Sequence, residues 1–389
     1  KGDQAGCAAV FVDDNRPSIS STALSSKLQN LAKVLSAKPS IPILNNILFE
    51  IVDGVLTLTA SDSETTMKAT MQLDESDSNG RFTMPSRTIL DATRELPDQP
   101  LHFDINLETL AVQITYQNGV YNFTAQTAEE YPRNKELAAD AASIQMESVV
   151  LLNGIVRSLF ATAQDELRPI MNGIYFDLKD DGLAIVATDG HKLVRTKNLA
   201  LRSDVKRSFV LGKKPASLLR NILLKDSSPV EVKFDDRNAE VHFPNGMLSC
   251  RLLEGNYPNY ASVIPQDNPN QITVDRKGLV SVLRRVLPFA SESSQLIRLH
   301  VEMGLVELSS EDIDFATSAK ESMVCDYVGI PMNIGFKGSV ISEVLNNLDC
   351  DDVVVQLADP SKAALVVPAV QPENEEVLML MMPMMLNDN

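Results

Sequence analysis

Leucines step through the segment 24 to 35 by four, three and four (Leu24, Leu28, Leu31, Leu35). The same step returns in Leu152, Val156, Leu159 and Ala163, and again in Leu279, Leu283, Val286 and Ala290. That spacing sets four side chains on one face of a helix, so each stripe predicts an amphipathic helix laid on a sheet. The first members stand 128 and 127 residues apart (24 to 152, 152 to 279). Self-similarity at a fixed spacing marks a repeated unit.

Behind each stripe two extended runs flank a glycine turn. They are Ile47 to Val52 and Leu56 to Ala60 about Asp53-Gly54, Ile174 to Leu178 and Leu183 to Ala187 about Asp181-Gly182, and Ile297 to Val301 and Val306 to Leu308 about Met303-Gly304. Asp-Gly between apolar runs reads as a tight hairpin. A second helix is predicted in every copy, around Ile89 to Leu96, Leu218 to Leu224 and Val340 to Leu348, with strands behind it that alternate as Leu101, Phe103 and Ile105 do. Asn118-Gly119 and Asn245-Gly246, 127 apart, turn the hairpins of the first two copies. The chain therefore reads as α+β, three similar domains of two β-α-β-β-β half-units each.

With 389 residues, 44% of them hydrophobic, each third can bury its own core. The four cysteines, Cys7, Cys250, Cys325 and Cys350, lie far apart without metal or redox spacing and are too few for a disulfide framework. No apolar run nears the ~18 residues of a membrane span, and Cys7 to Val12 is too short for a signal peptide. A soluble protein of the reducing cytoplasm is expected, with no membrane partner. No His, Cys and carboxylate cluster has ligand spacing, so neither metal nor cofactor is expected.

A formal net charge of −17 argues against a nucleic-acid partner until its distribution is considered. Residues 205 to 225 hold Lys206, Arg207, Lys213, Lys214, Arg220 and Lys225 and no acid, and residues 21 to 38 hold Lys27, Lys33 and Lys38 and no acid. Arg276, Lys277, Arg284 and Arg285 outnumber Asp275 at the third stripe, while Glu373, Glu375 and Glu376 form an acidic run near the C-terminus. On one helix such bases are ordinarily just the solvated face. Their recurrence in three copies predicts a shared basic surface on helices.

Four segments then stand in an order that resembles the bacterial β sliding clamp family, the processivity subunit of DNA polymerase III. They are Ile41-Pro-Ile-Leu-Asn-Asn-Ile-Leu-Phe49, Arg168-Pro-Ile-Met-Asn-Gly173, Ala187-Thr-Asp-Gly-His191 and the final Met382-Pro-Met-Met-Leu386, and the resemblance runs from Pro17 to Leu386. It implies the DNA clamp fold, with domains at 17–140, 141–270 and 271–389 and with residues 1–16 an extension without counterpart. It also implies a non-catalytic bacterial protein, cytoplasmic and nucleoid-associated, forming a ring-shaped head-to-tail homodimer. Helices would line a hole that holds duplex DNA irrespective of sequence.

Such a ring follows from a heterologous contact whose rotation closes, and edge strands pairing across the boundary would remove exposed edges. By repeat position Tyr121 and Phe123 meet Phe289 there. A ring is retained by topology, so weak phosphate attraction suffices. Lys33, Lys38, Arg87, Lys213, Lys214, Arg220, Arg284 and Lys337 are the DNA-facing candidates. Lys38 and Lys213 come first, because they fall where the family places arginines that touch DNA.

The implied protein partners are the replicative polymerase catalytic subunit, the clamp loader, other repair and translesion polymerases and mismatch-repair proteins. They would dock short extended peptides by burying a few apolar anchors. By the resemblance, the groove comprises Met171, Thr188, Gly190, His191, Leu193, Pro258 and Val263 with Met382, Pro383, Met384 and Leu386. Methionines suit a pocket that accepts several ligands. Three departures touch it: Met385 and Lys192 stand where arginine is common, and Asn387-Asp388-Asn389 extends past the usual last leucine.

Two enzyme readings fail on the residues. His191 beside Asp189 lacks an accompanying nucleophile motif, and Asp-Gly is an ordinary turn. Gly212-Lys213-Lys214 lacks the second glycine and the Ser or Thr of a Walker A loop, their places being taken by Arg207 and Lys214.

Overall fold

The computed structural model describes residues 17–74 and 79–386, so Cys7, the 1–16 extension and Asn387 to Asn389 lie outside the described residues. Six times the described chain runs strand, helix and three strands. The first third holds β1 (Ser18–Ser20), α1 (Ser21–Ala32), β2 (Asn46–Val52), β3 (Val55–Ser61) and β4 (Thr65–Gln72), then β5 (Gly80–Pro85), α2 (Ser86–Arg94), β6 (Pro100–Asn106), β7 (Ala111–Tyr116) and β8 (Gly119–Thr124). The second holds β9 (Ala142–Glu147), α3 (Ser148–Leu159), β10 (Gly173–Lys179), β11 (Gly182–Thr188) and β12 (Lys192–Asn198), then β13 (Arg207–Gly212), α4 (Lys213–Ile222), β14 (Pro229–Phe234), β15 (Asn238–Phe243) and β16 (Gly246–Arg251). The third holds β17 (Asn270–Asp275), α5 (Arg276–Val286), β18 (Leu296–Glu302), β19 (Leu305–Asp312) and β20 (Thr317–Val324), then β21 (Met332–Lys337), α6 (Gly338–Asn346), β22 (Asp352–Leu357), β23 (Ala364–Pro368) and β24 (Glu375–Met381).

The hairpin turns fall where the glycines lie. Asp53 and Gly54 both adopt positive φ (49° and 76°), as two-residue turns between right-twisted strands require. The second helices begin two to five residues before the apolar stripe and end two residues short of it, because their first turns are polar or basic. Lys206 and Arg207 are correspondingly not helical: Arg207 opens β13.

Half-units interlock by exchanging first strands. β1 pairs with β6 and β5 with β2, so each four-stranded half-sheet draws its outermost strand from the neighbouring half-unit. Half-sheets then fuse across the sequence repeat. β4 pairs with β16 to make the sheet β5-β2-β3-β4-β16-β15-β14-β9, and β12 pairs with β24 to make β13-β10-β11-β12-β24-β23-β22-β17. Two four-stranded sheets remain, β1-β6-β7-β8 and β20-β19-β18-β21.

Compact units in space consequently differ from thirds of the sequence. One unit runs through Ser143 and takes in Pro229–Lys233 and Asn238–Arg251; the other holds Ile144–Ser228, Phe234–Arg237 and the chain from Leu252 onward. In the first, α1 and α2 pack together on the sheets, burying Leu24, Leu28, Leu31 and Ile89 near the stacked rings of Phe49 and Phe82. In the second, α3 packs on α4 and α5 on α6, and one apolar cluster runs from Leu279, Leu283 and Val286 through Phe336 and Ile341 to Met379 and Met381.

The second stripe departs from its expectation. Val156 is exposed, and the buried face of α3 is Leu151, Leu152, Gly154, Ile155 and Ser158. Gly154 and Ser158 are small, which brings the helix so close to β11 that a Cβ on Gly154 would collide with the Ile185 side chain.

Candidate functional site

Pairing of β12 with β24 brings the expected groove residues of two repeats together. In that register Lys192 faces Met381 and Leu193 faces Leu380, so the chain leaving β24 emerges beside the turn that joins β11 to β12. The Met382 N–H donates to the His191 carbonyl at 2.9 Å.

That turn is held from within. Asp189 Oδ1 accepts the backbone N–H groups of His191 and Lys192, both at 2.9 Å. The Thr188 hydroxyl donates to the Lys192 carbonyl at 2.7 Å and accepts from the Gly190 N–H at 3.1 Å, while Gly190 takes φ +90°. The Asp189 carboxylate is therefore a turn brace for the main chain, which is not the role of a partner orienting an imidazole. His191 is exposed beside it.

Alternation along β12 sends Leu193 and Lys192 to opposite faces. Leu193 joins a buried apolar floor with Ala184, Val186, Ile264, Leu365 and Leu380, flanked by Tyr175, Tyr257 and Tyr260. Tyr175 stacks on Tyr257 with centroids 4.5 Å apart. The loop beside this floor leaves Pro258 and Val263 exposed, while Met171 is buried, its carbonyl accepting from the Ala163 N–H. Sequence reasoning missed Ile264, Leu365 and Leu380. Leu365 and Leu380 lie within ordinary apolar strands and Ile264 at the end of a short turn, so no local signal separated them from core.

The tail beyond β24 is anchored as well. The Met384 N–H donates to the Gly335 carbonyl at 2.7 Å. A Cβ at Gly335 would stand 2.7 Å from Leu386 Cδ2, 2.9 Å from Leu296 Cδ1 and 3.0 Å from the Met384 carbonyl. Met382 and Met385 stay exposed while Pro383, Met384 and Leu386 are half-buried.

The basic candidates fall mostly on helices. Together α1 to α6 carry eleven Lys and Arg against two acids, Asp91 and Glu343, in a chain whose net charge is −17. Both acids have basic partners, Asp91 with Arg87 at 3.9 Å and Glu343 with Lys192 at 2.7 Å. Lys33 caps the end of α1, Arg87 lies in α2, Lys214 and Arg220 in α4, Arg284 in α5, and Lys337 immediately precedes α6; all are exposed, as is Lys38 in the loop after α1. Lys213 is different. It opens α4 half-buried, its Nζ donates to the Ala163 carbonyl at 2.6 Å, and burial followed by repulsion from Lys192 pushes its pKa below the usual lysine value.

Tyr121 and Phe123 lie on β8 and Phe289 on a short turn after α5. The two rings on β8 meet edge to face at 6.2 Å and are half-buried, whereas Phe289 is exposed. On the β19–β20 turn Ile313 and Phe315 are 84% and 79% exposed, more than isolated surface hydrophobics need to be.

Three domain models of one family match in consecutive order. The DNA polymerase III beta subunit N-terminal domain covers residues 17–135, its central domain 145–259 and its C-terminal domain 261–385. A beta sliding clamp of Haemophilus influenzae is 29% identical over 352 residues, 90% of this chain and 94% of that protein. The beta sliding clamp of Escherichia coli K12 is 26% identical over 334 residues, 85% and 90% of the two chains. Among solved structures, a sliding clamp of Pseudomonas aeruginosa bound to griselimycin superposes with TM-score 0.89 at 24% identity, covering 95% of this chain and 99% of that one. The beta subunit of Thermotoga maritima DNA polymerase III gives 0.84 at 25% identity, with 95% and 99% coverage.

Proposed function

This chain belongs to the bacterial β sliding clamp family, the non-catalytic β subunit that gives DNA polymerase III its processivity, and from that premise we propose that two copies close head to tail into a ring around duplex DNA. The observation that carries the ring is the pattern of strand edges. Every half-sheet ends in a fourth strand, and four of these six are joined in pairs, β4 to β16 and β12 to β24. β8 and β20 are left over, in the first and third repeats, each presenting the unpaired backbone groups of an edge. Joining β20 of one copy to β8 of another repeats the β4–β16 junction. Done twice, it leaves no fourth strand unpaired and closes a heterologous contact at two copies.

The register carries over by repeat. Gly246 faces Ala69 in β16–β4, and Leu58 faces Ala69 as Leu308 faces Glu321. Gly119 on β8 then faces Glu321 of the second copy, with Tyr121 opposite Ala319 and Phe123 opposite Thr317. The small side chains at 317–319 leave room for the aromatic pair.

The basic bias of the helices supports DNA as the ring's occupant, since Lys and Arg supply sequence-independent phosphate attraction. We assign that contact to Lys33, Lys38, Arg87, Lys214, Arg220, Arg284 and Lys337, with Lys213 reserved by its bond to Ala163 until phosphate competes for it. The apolar floor and the methionine tail support a groove for extended peptides of polymerases, the loader and repair proteins, with griselimycin, bound by relatives, as its small-molecule occupant. The domains are assigned to 17–140, 141–270 and 271–389.

Light scattering on a sizing column tests the closure. The wild type should weigh twice 42.6 kDa, and a Tyr121→Asp, Phe123→Asp double variant should weigh 42.6 kDa with an unchanged far-ultraviolet circular dichroism spectrum. A wild-type monomer, or a dimer indifferent to the two aspartates, would contradict it.

A further inference from the structure

Lys192 stands at the start of β12, between the groove residues His191 and Leu193, yet its side chain points away from the groove. It is 9% exposed. Its ammonium lies 2.7 Å from Glu343 Oε2 on α6 and 3.2 Å from Asp189 Oδ2, and 5.8 Å above the ring of Phe160 at the end of α3. The ammonium of Lys213, from α4, is close enough to feel its charge. One buried cation thus touches the turn at Asp189, the end of one helix of its own repeat and one helix of the next.

We infer that Lys192 is a positioning residue for the groove, acting through Asp189 and Glu343 to hold the Thr188–Leu193 turn in register with the emerging tail. This rests on the groove reading above. Asp189 is the hinge of the argument, because the same carboxylate braces the backbone of His191 and Lys192 through Oδ1 and meets the Lys192 ammonium through Oδ2. The His191 carbonyl in turn receives the Met382 N–H. Moving the ammonium therefore moves both walls. Burial alone would lower the pKa of Lys192, but the hydrogen bond to Glu343 and the charges of Asp189 and Glu343 outweigh it and raise it, so the ammonium stays charged.

Removing the partner of a buried charge leaves that charge uncompensated, and replacing both partners is far less costly; here Lys192 is the buried member, while Glu343 is 44% exposed. This separates positioning from bulk stability. Griselimycin binding is measured by calorimetry on Lys192→Met, Lys192→Arg, Glu343→Gln and the double variant Lys192→Met, Glu343→Leu. Arg157→Met serves as control: Arg157 makes a pair with Glu375 that is buried on both sides, at the far end of β24 from the tail, so its loss is the harsher test of bulk stability.

Lys192→Met should bind about tenfold more weakly and Lys192→Arg nearly as the wild type, since arginine can reach both carboxylates. The double variant should recover the thermal midpoint but not the affinity, and Arg157→Met should lose midpoint but not affinity. Wild-type affinity in Lys192→Met, or affinity that follows the midpoint across the whole series, overturns the inference. A wild type that fails to bind overturns the groove reading beneath it.

Discussion

At the scale of single residues, burial decides which groups can act. Cys250 in β16 is 2% exposed, and desolvation, opposed only by a contact from the Ala239 backbone, pushes its thiol up to about 12. The thiolate is the reactive form. Its labelling by a maleimide at pH 8, followed by peptide mapping, should therefore be negligible in the native protein and rapid in urea. Rapid native labelling would mean that β16 leaves β4 on the experimental timescale. In the tail, Met384 and Leu386 are half-buried against β21, so replacing both by alanine should weaken griselimycin binding by about tenfold, the scale expected for apolar anchors, and leave the dimer mass unchanged. Loss of the dimer would make the tail structural. The motif at Ala187 to His191 marked this region in the sequence, because turn chemistry is local. Gly335 gave no such signal: its need to lack a Cβ comes from Leu386, which lies 51 residues on in the chain and only touches it in space.

At the scale of elements, legibility followed the range of the interaction. Hairpins were readable from Asp-Gly and Asn-Gly, whose conformational requirement lies in the two residues themselves. First-strand exchange and the β4–β16 and β12–β24 junctions were not readable, since nothing local distinguishes an edge that will be covered from one that will not. The α3 stripe held at Leu152 and Ala163 but failed at Val156, for a third reason. Patterning that counts only large apolar residues skips Gly154 and Ser158, on which the close approach to β11 depends. Ile155→Ala should accordingly cost about 3 kcal/mol in urea unfolding, whereas Val156→Ala, at a 39% exposed site, should cost under about 1 kcal/mol. The reverse order would restore the stripe expected from the sequence.

At the scale of the whole molecule, charge and edges work together. An acidic chain with its bases concentrated on helices can attract phosphate at those helices and repel it elsewhere, which favours sliding over sticking. On the proposed reading the attraction to DNA is weak, and persistence comes from the proposed closure through β8 and β20. The most direct measurement is retention on DNA of defined topology. The protein is loaded with its loader complex onto nicked circular duplex, freed of loader and nucleotide by gel filtration, and then challenged with a single-cutting nuclease in moderate salt. A closed ring stays with the intact circle and is released within minutes of linearisation. Equal retention on circular and linear DNA, or release from both, would contradict encirclement.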